Sequence, residues 1–210
     1  MTSPIRGLYA ITDSALQPPE RLVDAVAAAV RGGARVVQYR DKSADHARRR
    51  KEAAALAALC RQAGACFIVN DDIEFAAAVG ADGVHVGRDD AELAAARARL
   101  GGEAIIGVSC YDDLERARRL AAAGADYLAF GSVFPSATKP DAVRAPLGLF
   151  REARAFTQLP LVAIGGIDAG NIAEVARAGA DAAAVIRAVF GADDVEAAAR
   201  RLAASFELRV

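Results

Sequence analysis

The sequence is poor in the features that mark secreted or membrane-spanning proteins. It has three cysteines, Cys60, Cys66 and Cys110, an odd number without metal-ligand spacing, so we expect free, mostly buried thiols in a reducing compartment. No apolar run approaches the ~20 residues of a membrane helix. The first apolar segment ends at Asp13, too early for the core of a secretory signal. These absences favour a cytoplasmic protein with no membrane partner.

The chain also lacks an excess of charge and an internal boundary. Its 26 Lys and Arg residues nearly balance 27 Asp and Glu, so no overall basic field would attract nucleic acid. No Pro/Ser-rich linker, low-complexity tract or long charge run divides the 210 residues, of which 54% are apolar. We therefore expect one domain, residues 1–210, with a full core. An exposed helix face would allow a homo-oligomer, although no feature identifies one.

Motifs for covalent catalysis are absent as well. The sequence has no Walker loop, no zinc-ligand spacing and no Ser-His-Asp order. His46 begins a charged helical segment and is expected to be solvated. His85 stands in an apolar strand, where a packed, hydrogen-bonded imidazole is a better interpretation than a catalytic one. A site in this chain would therefore use phosphate, metal and cation chemistry.

What the sequence does contain is a regular alternation of strand and helix patterns. The strands are predicted from Gly7 to Thr12, Val36 to Arg40, Phe67 to Asn70, Gly83 to Val86, Ala104 to Val108, Tyr127 to Phe130, Leu161 to Ile164 and Ala182 to Ile186. The helices between them include Asp45 to Gln62, Ile73 to Val79, Glu92 to Leu100, Leu114 to Ala123 and Leu147 to Phe156. A glycine that supplies a left-handed helix stop precedes several strands, at Gly33, Gly64, Gly80, Gly124 and Gly179. This order predicts an α/β fold, a (β/α)8 TIM barrel.

Polar residues gather at the predicted carboxyl ends of the strands, where TIM barrels place their chemistry. They are Gln38, Arg40 and Lys42 after strand two, Asn70 and Asp71 after three, Asp90 after four, Ser109 after five, Ser136, Thr138 and Lys139 after six, Gly165-Gly166 after seven, and Ile186-Arg187 after eight. The opposite ends carry mostly Gly, Ala and single charges. The asymmetry predicts a substrate-binding rim.

Asp71 and Asp90 follow neighbouring strands, and two carboxylates that meet on a rim are suited to a hard metal ion. A plainer interpretation is helix capping. Asp71, Asp89 and Asp112 each precede a glutamate by three positions, as in a capping box. Because a capping carboxylate keeps free lone pairs, the sequence leaves both roles open.

Phosphate binding is predicted from glycines and cations on the same rim. Gly165-Gly166 and the turn at Ile186 stand where barrels commonly bind phosphate, although a tight turn toward Asn171 would also explain the glycine pair. Arg40, Lys42 and Lys139 suit the oxygens of a phosphate or diphosphate. Lys139 lies in the longest predicted loop, and such loops tend to be functional.

Taken together, these segments resemble the thiamine-phosphate synthase family over essentially the whole chain. The matching words are Leu8-Tyr9-Ala10-Ile11-Thr12-Asp13, Val37-Gln38-Tyr39-Arg40-Asp41-Lys42, Val69-Asn70-Asp71-Asp72, Gly83-Val84-His85-Val86-Gly87-Arg88-Asp89-Asp90, Gly107-Val108-Ser109, Val133-Phe134-Pro135-Ser136-Ala137-Thr138-Lys139-Pro140 and Ala163-Ile164-Gly165-Gly166-Ile167. The resemblance implies a Mg²⁺-dependent transferase of thiamine diphosphate biosynthesis. It would join 4-amino-2-methyl-5-(diphosphooxymethyl)pyrimidine to 4-methyl-5-(2-phosphooxyethyl)thiazole, or its 2-carboxy form, giving thiamine phosphate and diphosphate.

The resemblance also assigns roles to individual residues. Asp71 and Asp90 would ligate magnesium, and Arg40, Lys42, Ser109 and Lys139 would be catalytic through the departing diphosphate. The pyrimidine diphosphate would be bound by Gln38, Tyr39, Arg40, Asp41, Lys42, Asn70, Ser109 and Lys139. The thiazole phosphate would be bound by Ser136, Ala137, Thr138, Gly166, Ile186 and Arg187.

Three positions depart from the family pattern. Ser109-Cys110-Tyr111 replaces the common Ser-x-His, Ser136-Ala137-Thr138 replaces Thr-x-Thr, and Arg187 replaces a serine. Two other functions remain open at this point. One is a thiazole tautomerase, a related barrel that isomerises the thiazole phosphate, and the other is a noncatalytic phosphate-binding barrel.

Overall fold

Eight parallel strands pair in chain order and close into a barrel, with β1 hydrogen-bonded to both β2 and β8. A computed structural model describes residues 3–87, 90–135 and 143–207 of the protein. The strands are β1 (Gly7–Ile11), β2 (Ala34–Tyr39), β3 (Cys66–Asn70), β4 (Gly83–Val86), β5 (Ile105–Tyr111), β6 (Tyr127–Phe130), β7 (Leu161–Ile164) and β8 (Ala182–Val185). The predicted (β/α)8 TIM barrel is confirmed.

Helices follow the strands and surround the barrel. Those described are α1 (Pro19–Arg31), α2 (His46–Ala63), α3 (Ile73–Val79), α4 (Asp90–Leu100), α5 (Leu114–Ala122), α6 (Gly148–Arg154), α7 (Ile172–Ala178), α8 (Arg187–Phe190) and α9 (Val195–Glu207). Within the described ranges, no helix is long and apolar enough to cross a bilayer. The five predicted helix-stop glycines all have positive φ, as expected.

The period of two along each strand divides the core into two layers. On β1, Leu8 and Ala10 pack outward against the helices, whereas Tyr9 and Ile11 fill the barrel interior. On β2, Val36 faces inward and Tyr39 outward. An inward-facing residue near the last position of a strand therefore points into the carboxyl end of the barrel. The alternation thus decides which side chains reach the site.

Gly107 makes room inside the barrel for one large aromatic side chain. A Cβ added at Gly107 would lie 1.9 Å from Cζ of Tyr127. Tyr127 is fully buried among inward-facing residues. Any side chain at Gly107 would displace this ring, so the glycine is required for the close approach.

The capping boxes predicted at Asp71 and Asp112 are wrong by one residue. Asp72 and Asp113 are the caps, and their carboxylates accept from Phe75 N and Arg116 N at 2.9 Å each. In the first case the β3–β4 ladder runs on through Asp71, whose N–H donates to His85 O at 2.8 Å. In the second, β5 extends through Tyr111 rather than ending at Val108. Each helix can begin only after its strand ends, and Asp89 lies outside the described residues.

Asn171 does stand at the N-cap of α7, but its side chain does not cap the helix. Its Oδ1 accepts from Asp168 N at 2.9 Å, and its Nδ2 donates to Gly166 O at 2.9 Å. The amide therefore pins the turn after β7. The spacing of Asn171 and Glu174 in the sequence predicts a capping box, and that prediction is wrong.

At the opposite end of the barrel, three equivalent aspartates each link two neighbouring strands. Asp82, Asp126 and Asp181 each precede an even-numbered strand and accept a backbone N–H of the preceding strand, from Phe67, Ile106 and Leu161 at 2.7, 2.7 and 2.8 Å. Arg97 of α4 joins Asp126 and Arg154 of α6 joins Asp181, both at 2.6 Å. The amino-terminal end is thus built for stability.

Candidate active site

The predicted rim residues that the structure describes emerge at the carboxyl end of the barrel. Gln38 is the last residue but one of β2, Asn70 is the last residue of β3, and Ser109 lies in β5. Ser109 and Asn70 are partly exposed, whereas Gln38 is buried at 3% exposure. Ser136, Ala137, Thr138 and Lys139 fall outside the described residues.

The segment after β2, residues 40–42, is held by one arginine of α2. Arg48 donates to Asp41 Oδ2 at 2.7 Å, to Ser43 Oγ at 2.7 Å and to Glu52 Oε1 at 2.8 Å. Both carboxylates are nearly inaccessible, with side chains 2% and 7% exposed. Burial alone would raise the pKa of Asp41, but the bonds from Ser43 and Arg48 outweigh burial and lower it.

Tyr39 belongs to the same network and faces away from the barrel interior. Its hydroxyl donates to Glu52 Oε2 at 2.6 Å, and the side chain is 2% exposed. Burial, and then the adjacent Glu52 carboxylate, raise the pKa of Tyr39 far above its ordinary value. Tyr39 and Asp41 therefore shape the segment after β2 rather than projecting from it.

Arg40 and Lys42 are the two cations of this segment. The Arg40 backbone is fixed by Thr12, whose Oγ1 accepts from Arg40 N at 2.9 Å. Neither cationic head has a hydrogen-bond or ion-pair partner among residues 3–87, 90–135 and 143–207. The network around Arg48 thus presents two uncommitted positive charges at the rim.

Asp71 is exposed and has φ of 62°, a left-handed conformation that turns its side chain out of the strand. Asn70 Nδ2 donates to Asp71 Oδ2 at 2.7 Å. A Cβ placed on Gly87 would lie 3.8 Å from Asp71 Oδ1, so Asp71 stands beside the loop that leads to Asp90. The backbone of Asp90 begins α4, and its side chain lies outside the described part of the structure.

Arg116 of α5 ties the loop after β4 to β5. Its Nε donates to Ser109 O at 2.9 Å and its Nη2 to Gly87 O at 3.0 Å. The other side of the same loop is held by Glu92, which accepts from Gly87 N at 3.1 Å. The approach to Asp90 and the backbone of Ser109 are therefore fixed by one guanidinium.

A buried polar chain crosses the barrel beneath the rim. Gln38 Nε2 donates to Tyr9 Oη at 2.7 Å, Tyr9 Oη lies 2.9 Å from Tyr127 Oη, and Tyr127 Oη lies 2.9 Å from His85 Nδ1. His85 Nε2 then lies 3.0 Å from Ser109 Oγ. Burial lowers the pKa of His85 to about 4 and raises the pKa of both tyrosines above the ordinary range. All these groups are neutral at pH 7, in keeping with the expected packed imidazole at His85.

The turn after β7 is closely packed against the segment that follows β6. Gly165 and Gly166 have φ of 99° and 64°. A Cβ added at Gly166 would lie 2.2 Å from Pro135 O. Ile186 occupies the N-cap position of the short helix α8, and Arg187 is its exposed first residue. Both turns lie at the same barrel end as the residues above.

Comparison with known proteins decides the family. The family model described as thiamine monophosphate synthase matches residues 8–189. The chain belongs to the thiamine monophosphate synthase family. Thiamine-phosphate synthase of Halorhodospira halophila is 62% identical over 98% of this chain and 96% of that protein. The one from Chromobacterium violaceum is 58% identical over 98% of each.

Solved structures agree with this membership. A thiamine phosphate pyrophosphorylase from Pyrococcus furiosus has a TM-score of 0.86 and 40% identity, covering 96% of this chain and 95% of its own. A 3-hexulose-6-phosphate synthase with a TM-score of 0.68 and 21% identity, covering 95% and 99%, shares the barrel fold. The transferase class of the thiamine monophosphate synthase family therefore applies to this chain.

Sequence reasoning about this family member missed the side chains that support the rim. Arg48, Arg116, Tyr9 and Tyr127 were not among the predicted site residues. The tyrosines had a signal, since each occupies an inward position of a strand, and Gly107 offers space for one of them. The arginines had none, because surface helices are rich in arginine and nothing local distinguishes these two.

A recess also lies at the opposite end of the barrel. Its volume is about 480 Å³, and its lining includes Cys66, Asp82, Leu100 and Ile105. These residues lie at the amino ends of β3, β4 and β5. The recess is therefore separate from the rim that carries the family residues.

Proposed function

We propose that the protein condenses 4-amino-2-methyl-5-(diphosphooxymethyl)pyrimidine with 4-methyl-5-(2-phosphooxyethyl)thiazole, or its 2-carboxy form. The bond between the pyrimidine methylene carbon and the diphosphate oxygen breaks, and the thiazole nitrogen bonds to that carbon. With the 2-carboxy substrate, the carboxylate leaves as carbon dioxide. The products are thiamine phosphate and diphosphate.

The observation that carries this proposal is the arrangement of the family's polar residues at one barrel end. Gln38, Asn70 and Ser109 reach the rim from three different strands, and Arg40 and Lys42 stand beside them as uncommitted cations. The reaction needs such cations, because negative charge develops on the departing diphosphate. It needs no nucleophile from the protein, and the sequence offers no Ser-His-Asp order or Walker loop.

A magnesium ion would be held by the residues after β3 and β4. Asp71 presents an exposed carboxylate, oriented by Asn70, beside the loop that leads to Asp90. Among the described residues no group of three or more His, Cys, Asp or Glu side chains could hold a metal. Mg²⁺ is commonly held by one or two carboxylates together with phosphate oxygens and water, so Asp71 and Asp90 would suffice. The ion would supply charge stabilisation on the leaving diphosphate.

The pyrimidine diphosphate would be bound by cations at its diphosphate and by uncharged polar side chains at its ring. Arg40 and Lys42 would bind the diphosphate, and Lys139 would reach it from the loop after β6. Gln38, Asn70 and Ser109 would orient the pyrimidine.

The thiazole phosphate would lie at the turns after β7 and β8. Gly166 keeps the backbone open at a point where a Cβ would collide with Pro135. Backbone N–H groups near Gly166 and at the start of α8 would donate to the phosphate. Ser136, Ala137 and Thr138 would complete this pocket, with Arg187 as an added cation.

We also propose that residues 1–210 form one catalytic domain in the cytoplasm. The closure of β1 on β8 supports the first point, because no part of the barrel can be removed without opening the sheet. Three free, buried cysteines support a reducing compartment.

The test is to mix both substrates with the purified protein, with Mg²⁺ or with a chelator. We expect thiamine phosphate and diphosphate in equal amounts with Mg²⁺ and little of either with the chelator. Isomerised thiazole phosphate without coupling would indicate a tautomerase instead. Binding of phosphate without any turnover would indicate a noncatalytic barrel.

A further inference from the structure

The buried chain beneath the rim joins two residues that the proposed function places on the pyrimidine. Gln38 begins it and Ser109 ends it, and between them lie Tyr9, Tyr127 and His85. Tyr9 and Tyr127 are 1% and 0% exposed, so water does not interrupt the chain at its centre. The five groups come from five different strands, and the chain therefore depends on closure of the barrel.

The donors and acceptors of this chain can be assigned from its first link. Gln38 places its amide nitrogen 2.7 Å from Tyr9 Oη, so Tyr9 accepts there. The remaining partner of Tyr9 among the described residues is Tyr127, which must accept the Tyr9 proton. A buried hydroxyl proton left unpaired would be destabilising, so Tyr9 donates to Tyr127.

The same reasoning extends to the other end. Tyr127 accepts from Tyr9, so its own proton goes to His85 Nδ1 at 2.9 Å. Because Nδ1 accepts this bond, an imidazole with one proton carries it on the other ring nitrogen. That proton lies on Nε2 and is donated to Ser109 Oγ at 3.0 Å.

We propose that Tyr9, Tyr127 and His85 are positioning residues that form a one-directional hydrogen-bond chain from Gln38, and that this chain fixes the Ser109 hydroxyl as a donor to the substrate. Ser109 Oγ accepts from His85, so its O–H is turned outward. Gln38 Oε1 accepts no hydrogen bond from the described residues. The rim therefore offers one donor and one acceptor.

This pair matches an aminopyrimidine edge and rests on the proposed function for its substrate. A ring nitrogen accepts a hydrogen bond, and the neighbouring exocyclic amino group donates one. An oxo-pyrimidine with N–H beside C=O presents the two groups in reverse order. A fixed donor and acceptor would reject that isomer, because each buried polar group would face its like.

The first measurement is the tautomer of His85, read by nitrogen NMR of the isotopically labelled protein at pH 7 without substrates. The chain has two histidines, so His46→Gln leaves His85 as the single imidazole. We expect the proton on Nε2. A proton on Nδ1 would mean that every bond runs the other way, from Ser109 to Gln38, and would overturn the proposal.

The second measurement uses Tyr127→Phe, which keeps the ring over Gly107 and removes the hydroxyl. The fraction of His85 protonated on Nε2 should fall, and kcat should fall roughly tenfold. In a Ser109→Ala background the same substitution should change kcat little, because Tyr127 acts through Ser109. If the two substitutions instead lowered kcat by factors that multiply in the double variant, Tyr127 would not act through Ser109. Tyr9→Phe serves the same purpose if Tyr127→Phe does not fold.

A control variant separates this role from general loss of packing. Thr157→Val removes a buried hydroxyl at the opposite barrel end, where it accepts from Leu159 N at 3.1 Å. It should leave both the His85 tautomer and kcat unchanged. Full turnover with the Nδ1 tautomer would overturn the chain and leave the proposed function intact. No turnover with the Nε2 tautomer would do the opposite.

Discussion

At the scale of single residues, two adjacent aspartates after β3 have separate tasks. Asp72 caps α3, whereas Asp71 continues the ladder and presents its carboxylate at the rim. The sequence predicted that an aspartate there would cap a helix and that Asp71 would face a metal, but it assigned both to one residue. The strand length decides between them, and sequence patterns place strand ends poorly.

Substituting Asp71 and Asp72 one at a time should separate the effect on metal binding from the effect on stability. Asp71→Asn should retain the fold, because asparagine tolerates positive φ, and should lose most Mg²⁺-dependent turnover. Asp72→Ala should lower the free energy of unfolding by about 1 kcal/mol and keep its magnesium dependence. Turnover against Mg²⁺ concentration and urea denaturation measure the two effects. Undiminished turnover in Asp71→Asn would remove this residue from the metal site.

His85 makes stability depend on pH. Its pKa is lowered from 6.5 to about 4 in the folded protein, so the folded state resists protonation that the unfolded chain accepts. Its contribution is complete above pH 6.5 and is lost as pH falls toward 4. One pKa unit corresponds to about 1.4 kcal/mol, so the loss is roughly 3 kcal/mol.

Denaturation of wild type and His85→Gln from pH 7 to pH 4 measures that loss. The stability of the variant should fall less steeply, since carboxylate effects are common to both proteins. His46→Gln, which removes the exposed histidine of α2, should follow the wild-type curve. Parallel curves for wild type and His85→Gln would contradict a lowered pKa.

At the scale of elements, helix α2 holds the segment after β2 in place through Arg48. Arg48→Ala would leave the buried carboxylates of Asp41 and Glu52 without their guanidinium. We expect a loss of stability of about 3 kcal/mol and a rise in KM for the pyrimidine diphosphate of more than roughly tenfold, because Arg40 and Lys42 lose their fixed positions. Arg48→Lys should recover part of both.

Arg50→Ala is the matched control for this prediction, since Arg50 is exposed on the same helix. It should change stability by less than about 0.5 kcal/mol and leave KM unchanged. Steady-state kinetics and urea denaturation provide both quantities. An equal rise in KM for the two variants would show that overall charge, rather than the Arg48 network, holds the substrate.

The amino-terminal end offers a contrasting pair in α4. Arg97 joins Asp126 and also donates to the carbonyl oxygens of Gly101, Ala104 and Gly124. Arg97→Ala should lower the free energy of unfolding by about 1–2 kcal/mol without altering kcat. Arg99 pairs with Glu74 on the exposed surface, and Arg99→Ala should cost less than about 0.5 kcal/mol. A reduced kcat in Arg97→Ala would contradict the separation of the two ends.

At the scale of the whole molecule, the fold was within reach of the sequence and the site was only partly so. Alternation and glycine stops predict the number and order of the strands, and several predicted bounds, such as Ile73–Val79 and Gly83–Val86, agree with the structure. The short helix α8 was predicted only as a turn at Ile186. Long-range contacts are another matter. The bonds of Tyr9 to Tyr127 and of Arg116 to Ser109 and Gly87 join distant segments, and no local pattern reports such pairs.

Packing inside the barrel and between its strands and helices buries the thiols. Cys60, Cys66 and Cys110 are free and at most 5% exposed, and burial raises the pKa of Cys60 to about 12. A thiol-specific disulfide reagent at pH 8 should therefore modify none of them in the native protein and all three after denaturation. Rapid labelling of the native protein would indicate local opening of the β2–β3 region.

Of the three carboxylates at the amino-terminal end, Asp126 and Asp181 receive an arginine from the helix two units earlier, whereas no described arginine reaches Asp82. Asp82 instead lines a recess of about 480 Å³. An inhibitor directed at this recess would bind at the pole opposite the rim. A compound seated there would compete with no substrate and would act through the melting temperature of the protein.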